Sequence, residues 1–130
     1  AGTEWLKSYI EPHGYQVHPM PMKGNLLHLL GIMVLVREGV LLLFRDELDC
    51  ELPAPIRDWD VIEISQDEVG AFATVGVSLD DRRYVMPTQL GRVGEELSRR
   101  GIEPIELDYE HVSYWGGCLS CSTHAIARDP

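Results

Sequence analysis

Residues 74–107 read TVGVSLDDRRYVMPTQLGRVGEELSRRGIEPIEL. Two short apolar runs, 75–79 and 83–86, flank the turn Asp80-Asp81-Arg82, and that pattern predicts a hairpin. Thr88 then stands as an N-cap before a helix carrying Leu90, Val93 and Leu97, which stops at Gly101. Residues 102–107 close as a strand, so the unit runs strand, strand, helix, strand.

The preceding segment has the same order. Residues 26–36 and 40–44, rich in Val, Ile and Leu, surround the turn Arg37-Glu38-Gly39 and predict a hairpin of buried strands. A short helix over 46–52 is ended by Pro53 and Pro55, and Trp59-Asp60-Val61-Ile62-Glu63-Ile64 alternates as a half-buried strand. A helix over 65–73, with Ser65 and Glu68 spaced as a capping box, connects the two units. Units over 27–64 and 74–107, about 35 residues each, have the size of stacked supersecondary repeats, with element order rather than residue identity carrying the repeat.

Trp5, Leu6, Tyr9 and Ile10 have helical spacing, and Pro12 and Gly14 stop that helix before an extended run over 15–20. Residues 116–128 read as the first strand of a further unit. The chain thus opens and closes in mid-repeat, and a repeat fold buries each unit against its neighbours. A missing segment, N-terminal to this one or on a companion chain, is expected to complete it.

The 130 residues are 45% hydrophobic, which suits one globular domain and excludes a disordered segment. Eleven Lys and Arg against 21 Asp and Glu leave a net charge of -10 with scattered basic residues, which argues against a nucleic-acid face. The apolar stretch 26–44 is broken by His28, Arg37 and Glu38, so it does not read as a membrane span. Three cysteines, Cys50, Cys118 and Cys121, cannot all pair, and with no secretory signal pattern at the start the expected setting is reducing and cytoplasmic. Asp46, Glu47, Asp49 and Glu51 read as a charged surface helix.

The densest chemical signal is Trp115-Gly116-Gly117-Cys118-Leu119-Ser120-Cys121-Ser122-Thr123-His124. Glycines before a cysteine allow close approach of backbone and substrate, and clustered N–H groups favour a thiolate, which suits a nucleophile. The same pair can equally be buried inert thiols, or a Cys-x-x-Cys metal or redox motif. Zinc needs two further ligands, and Cys50 is the only other cysteine. A thioredoxin-like pair opens a helix after a first strand, whereas this one lies near the C-terminus in a strand context. His28, inside Leu26-Leu27-His28-Leu29-Leu30, reads either as a hydrogen-bonded core histidine or as an acid/base. His13, His18 and His111 read as surface residues, and His124, on a strand, is expected to point away from the Cys121 face.

The run Gly116-Gly117-Cys118-Leu119-Ser120-Cys121-Ser122-Thr123, followed by Ala127-Arg128-Asp129 and preceded by Leu27-His28-Leu29, resembles the C-terminal part of the amidinotransferases. These belong to the guanidine-modifying superfamily with arginine deiminase and dimethylarginine dimethylaminohydrolase. The resemblance implies the pentein fold, an α+β (α/β) propeller of strand-strand-helix-strand units around a central site, here only its C-terminal portion. By the same resemblance Cys121 falls on the nucleophilic cysteine, because the motif runs Gly-Gly-x-x-x-Cys-x-Thr, and His28 falls on the histidine of a His-x-Asp motif. Arg45 lies near the arginine that takes a substrate carboxylate. Leu30 replaces the Asp of His-x-Asp, Val75 stands where Asn is common, and Ser120 replaces a histidine before the nucleophile.

The resemblance therefore implies an amidinotransferase-like enzyme forming a covalent intermediate on a guanidine or related substrate. The alternatives are a hydrolase or acyl-transfer enzyme with a non-guanidine substrate, or an inactive interaction subunit. The expected partners are a small-molecule substrate and a companion polypeptide carrying the remaining repeats, in an oligomer, with no cofactor, metal, nucleic acid or membrane.

Overall fold

The computed structural model describes residues 2–24 and 26–127. Its framework is two three-stranded sheets of identical build. In the first, strands β1 (Met33–Arg37) and β2 (Val40–Leu43) are antiparallel and β3 (Asp60–Glu63) lies parallel to β2. In the second, β4 (Val77–Asp80) and β5 (Arg83–Pro87) form the hairpin and β6 (Glu103–Leu107) runs parallel to β5. The α+β class and the repeated unit read from the sequence are both present.

The second unit follows its sequence closely. Helix α3 (Gly91–Arg99) crosses between β5 and β6, burying Val93, Gly94 and Leu97. Thr88 does not cap it: the Thr88 N–H bonds to the Leu107 carbonyl at 3.1 Å, continuing the parallel pairing, and Leu90 occupies the cap position. Gly101 ends the turn beyond α3 with φ +72°, a left-handed conformation that glycine adopts without strain.

The first unit departs from expectation between β2 and β3. The helix expected over 46–52 is replaced by 3-10 turns at Arg45–Glu47 and Ala54–Ile56. Its backbone groups pair elsewhere: Lys23 N–H donates to the Glu47 carbonyl at 2.8 Å, Asp49 N–H to that of Pro21 at 2.9 Å, and Met22 bridges Leu48. Pairing with the earlier residues 21–23 of the same chain has displaced a short helix that would have been marginal alone. The strand expected over 15–20 is not formed: those residues join neither sheet, and the bridge is made by Met22, beyond them.

The long apolar run divides differently too. The strand begins at Met33, and Leu29–Gly31 is a 3-10 turn in which Gly31 N–H bonds to the His28 carbonyl at 2.9 Å. Leu26, Leu27 and His28 are exposed, so residue type alone misled the reading of a buried strand there.

One core joins the units, with Leu41, Leu42, Leu43 and Ile62 of the first packed with Tyr84, Met86, Val93 and Leu97 of the second. Helix α2 (Gln66–Gly70) links them, and its capping box is formed, with Ser65 Oγ accepting from Glu68 N–H and Glu68 from Ser65 N–H. Arg92 on α3 then binds Glu68 at 2.6 and 2.7 Å and the Glu63 carbonyl at 2.8 Å. On the opposite side Ser78 Oγ donates to the Val36 carbonyl at 2.6 Å, setting β1 and β4 side by side. Helix α1 (Gly2–Ile10), as expected from its spacing, precedes all this and buries none of its residues. Among the described residues no helix is long and apolar enough to cross a membrane.

Candidate functional site

Where β1 and β4 adjoin, the structure opens a groove of about 710 Å³. Val34 and Leu35 form one wall and Val77, Ser78 and Leu79 the other. Gly76 also lines it, and the approach there leaves no space for a side chain: a Cβ would fall 2.5 Å from the Tyr84 hydroxyl. Gly76 N–H instead donates to that hydroxyl at 3.2 Å, and burial pushes the Tyr84 phenol well above its ordinary range.

The chain after β6 completes the groove. The strand expected over 116–128 is absent through residue 127, and Arg128 lies outside the described residues. Helix α4 (Glu110–Ser113) and the left-handed Gly116, at φ +85°, lead instead into a one-turn helix, α5 (Leu119–Ser122). Polar side chains and the segment leading into β4 hold this turn. Ser120 N–H bonds to the Val75 carbonyl at 3.1 Å, Ser122 Oγ to that of Cys118 at 3.0 Å, and Thr123 Oγ1 to that of Leu119 at 2.9 Å. Serine and threonine compete with backbone donors in this way, which explains why a run so rich in them forms a single turn rather than a strand.

Cys121 is presented on this turn with its side chain exposed, whereas Cys118 is fully buried with Leu119, Val75 and Val85. Burial pushes the Cys118 thiol up, so at neutral pH it is a protonated thiol. All three cysteines are free, and among the described residues no group of three or more His, Cys, Asp or Glu is placed to hold a metal ion.

His28 is exposed and extended, not a core histidine. It stands two positions before Leu30, which lines the groove, while Ser120, next to Cys121, lines the same groove. The segment at Leu30 and the chain from Ser120 onward thus meet at this groove, although no hydrogen bond joins His28 to Cys121 among the described residues. Arg45 lies elsewhere, at the end of β2, its Nε donating to Glu63 Oε1 at 2.9 Å.

The strand expected to carry His124 is absent, and its place in the groove was not foreseen from the sequence. With the helical turn ending at Ser122, Thr123 and His124 fold back to line the groove. The signal was present in the spacing of hydroxyl residues through the turn, which favours local backbone capping over strand pairing.

No family model matches the chain. It is 24% identical over 115 residues to the uncharacterized protein YkgA of Bacillus subtilis, a match covering 88% of this chain and 40% of that protein. Among solved structures it superposes on an amidinotransferase of the saxitoxin biosynthetic pathway from Microseira wollei with a TM-score of 0.85 at 20% identity, covering 99% of this chain and 41% of the other. The inosamine-phosphate amidinotransferase of Streptomyces griseus gives 0.82 at 19% identity, with 99% and 40% covered. A dimethylarginine dimethylaminohydrolase from Pseudomonas aeruginosa gives 0.62 at 24% identity, with 82% and 39% covered. The chain therefore spans about two fifths of the length of these proteins and has the fold of the corresponding part.

Proposed function

From the pentein fold that the chain shares with amidinotransferases and related hydrolases, we propose that it is the portion of a guanidine-modifying enzyme that carries the nucleophile and the acid/base. The supporting observation is the presentation of Cys121 on a hydrogen-bonded turn beside a groove that Leu30 and Ser120 both line. In this reading residues 1–130 belong to a single domain. The remaining repeats, from an N-terminal segment or a companion chain, cover the apolar groups that stand open here, such as Trp5, 65% exposed, and Leu27, 84% exposed.

Cys121 as thiolate attacks the central carbon of a guanidine-type substrate, and His28 donates a proton to the departing amine. A covalent thiouronium-like adduct remains on Cys121. An incoming amine then takes the amidino group in a transferase, or water releases a ureido product in a hydrolase. Arg45 does not line this groove, and its proposed role as anchor for a substrate carboxylate rests on the resemblance alone; its half-exposed pairing with Glu63 would cost little to give up. The setting proposed for the enzyme is the cytoplasm.

Leu30 favours a second reading of the substrate. An apolar side chain lines the groove where the resemblance expects a carboxylate that would fork onto a guanidinium, and this suits a less basic amidine or acyl substrate. Leu30→Asp is expected to raise kcat/KM for an alkylguanidine relative to a neutral amidine analogue if the first reading holds. An unchanged preference would support the second.

The test of the nucleophile is intact-mass spectrometry of the native full-length protein after brief exposure to a haloacetamidine. One adduct, confined to Cys121 and lost in Cys121→Ala, is the expected result. Failure to label in an intact assembly would leave an inactive interaction subunit as the better description.

A further inference from the structure

We propose that Cys118 and Cys121 form a reversible disulfide, making the turn that carries Cys121 a thiol switch. The disulfide itself depends only on local geometry. That its formation closes a catalytic site rests on the reading of Cys121 as nucleophile given above.

The two cysteines stand at the two ends of one hydrogen-bonded turn. Cys121 N–H donates to the Cys118 carbonyl at 3.1 Å, and Ser122 N–H donates to the same carbonyl at 3.2 Å. A chain closed in this way over four residues keeps its terminal Cα atoms within about 7 Å, and a disulfide spans about 4.4–6.8 Å between Cα atoms. Cys118 occupies the cap position in extended conformation, at φ -143°, ahead of the turn Leu119–Ser122. From a cap a short side chain reaches back to the third helical residue, as Ser or Asp does when it binds the N–H there. The third helical residue is Cys121. Gly117 contributes no side chain on the adjoining side, where a Cβ would touch that of Cys121 at 3.5 Å.

The environments of the two thiols divide their labour. Cys121 is exposed and meets an oxidant first, while Cys118 is held in the apolar cluster with Val75, Val85 and Leu119. Its raised pKa, due first to burial, keeps it a thiol until its neighbour is oxidised. Cys50 packs against the other, larger core cluster and belongs to neither step.

The oxidant is a peroxide. The Cys121 thiolate attacks one peroxide oxygen, the O–O bond breaks, and hydroxide leaves, giving a sulfenic acid. The Cys118 sulfur then attacks the Cys121 sulfur; the S–S bond forms as the S–O bond breaks, and the Cys118 proton leaves with the hydroxide as water. Two thiols are thereby oxidised and one hydrogen peroxide is reduced to two waters. A dithiol reductant restores both thiols by exchange.

The experiment exposes the full-length protein to hydrogen peroxide near neutral pH, blocks the remaining thiols by alkylation, and maps the digest by mass spectrometry. The expected result is a peptide containing residues 118–121 that is unblocked and short of two hydrogens, restored by dithiothreitol, with Cys50 alkylated throughout. Haloacetamidine labelling of Cys121 is lost in the oxidised protein and regained after reduction. In Cys118→Ser, checked for an unchanged circular dichroism spectrum, and in Cys118→Ala as a second variant, oxidation stops at a sulfenic acid on Cys121 that dimedone captures. Accumulation of that acid in the unmutated protein, pairing with Cys50, or no oxidation at either residue would each overturn the switch. If the reduced protein never labels while the disulfide maps as expected, it is the nucleophile reading that fails.

Discussion

The Arg100 guanidinium grips the Asp60 carboxylate with both of its oxygens, through Nε at 2.7 Å and Nη2 at 3.0 Å. Arg100 follows α3 in the second unit and Asp60 opens β3 in the first. The same arginine also holds Glu96, and its own carbonyl accepts from Arg37 at 2.9 Å, so one residue ties three elements together. Because the Asp60 side chain is half-exposed, solvent screening limits the value of the pair. Arg100→Ala is expected to cost about 1 kcal/mol in urea unfolding, the upper range for such pairs, and an unchanged midpoint would show the grip to be energetically idle.

Acid should weaken the same seam. Hydrogen bonding from Arg100 holds Asp60 below its ordinary carboxylate range, and Arg92 does the same for Glu68. A depressed folded-state pKa means that the unfolded chain binds more protons in this window. The contribution is therefore fully present above the ordinary values near pH ~4 and is lost as pH falls through the lowered ones. Thermal unfolding from pH 7 down to pH 3 is expected to show a fall below pH ~4 that flattens in Asp60→Asn/Glu68→Gln; an identical slope in the variant would contradict the assignment.

Gly76 has a different cause for its identity. Its φ does not require glycine, but the Val85 carbonyl and the Tyr84 ring occupy the space a methyl group would need. Gly76→Ala is expected to destabilise the fold by about 1–3 kcal/mol through overpacking, read from chemical denaturation. A variant as stable as its parent would mean that β4 and β5 can part at no cost.

The acid/base assignment predicts a split between structure and rate. His28 is exposed, so His28→Ala should leave circular dichroism and melting unchanged. On the proposed enzyme's substrate it should lower kcat by about 10²–10⁴-fold, the usual worth of a positioned acid/base. A rate within twofold of the parent would remove His28 from the chemistry.

The legible parts of this fold were those in which local and tertiary preferences agree. Both hairpins, β3, β6, the Ser65–Glu68 box and the buried stripe of α3 stood out because alternation, spacing and capping residues all point the same way. The segment over 46–52 was misread because its backbone pairs with residues 21–23, a contact that no local pattern announces. His28 was placed in a strand on the strength of flanking leucines, two of which, Leu26 and Leu27, are exposed in this chain. At the site, residue pattern marked the run around Cys118 and Cys121 and only the resemblance singled out Cys121, and the Cys118–Cys121 turn had to be seen before Thr123 and His124 could be placed in the groove.

Glu68 serves two structures with one carboxylate. Oε2 accepts both the Ser65 amide, at 2.9 Å, and the Arg92 guanidinium, at 2.6 Å. The start of α2 and the seating of α3 are thus made and broken by the same group. Slow amide protons in α2 and α3 should therefore exchange with a common opening free energy, and Glu68→Gln should uncouple them so that α2 exchanges earlier. In such a chain the linker between two repeats is not a passive tether but part of the unit that opens.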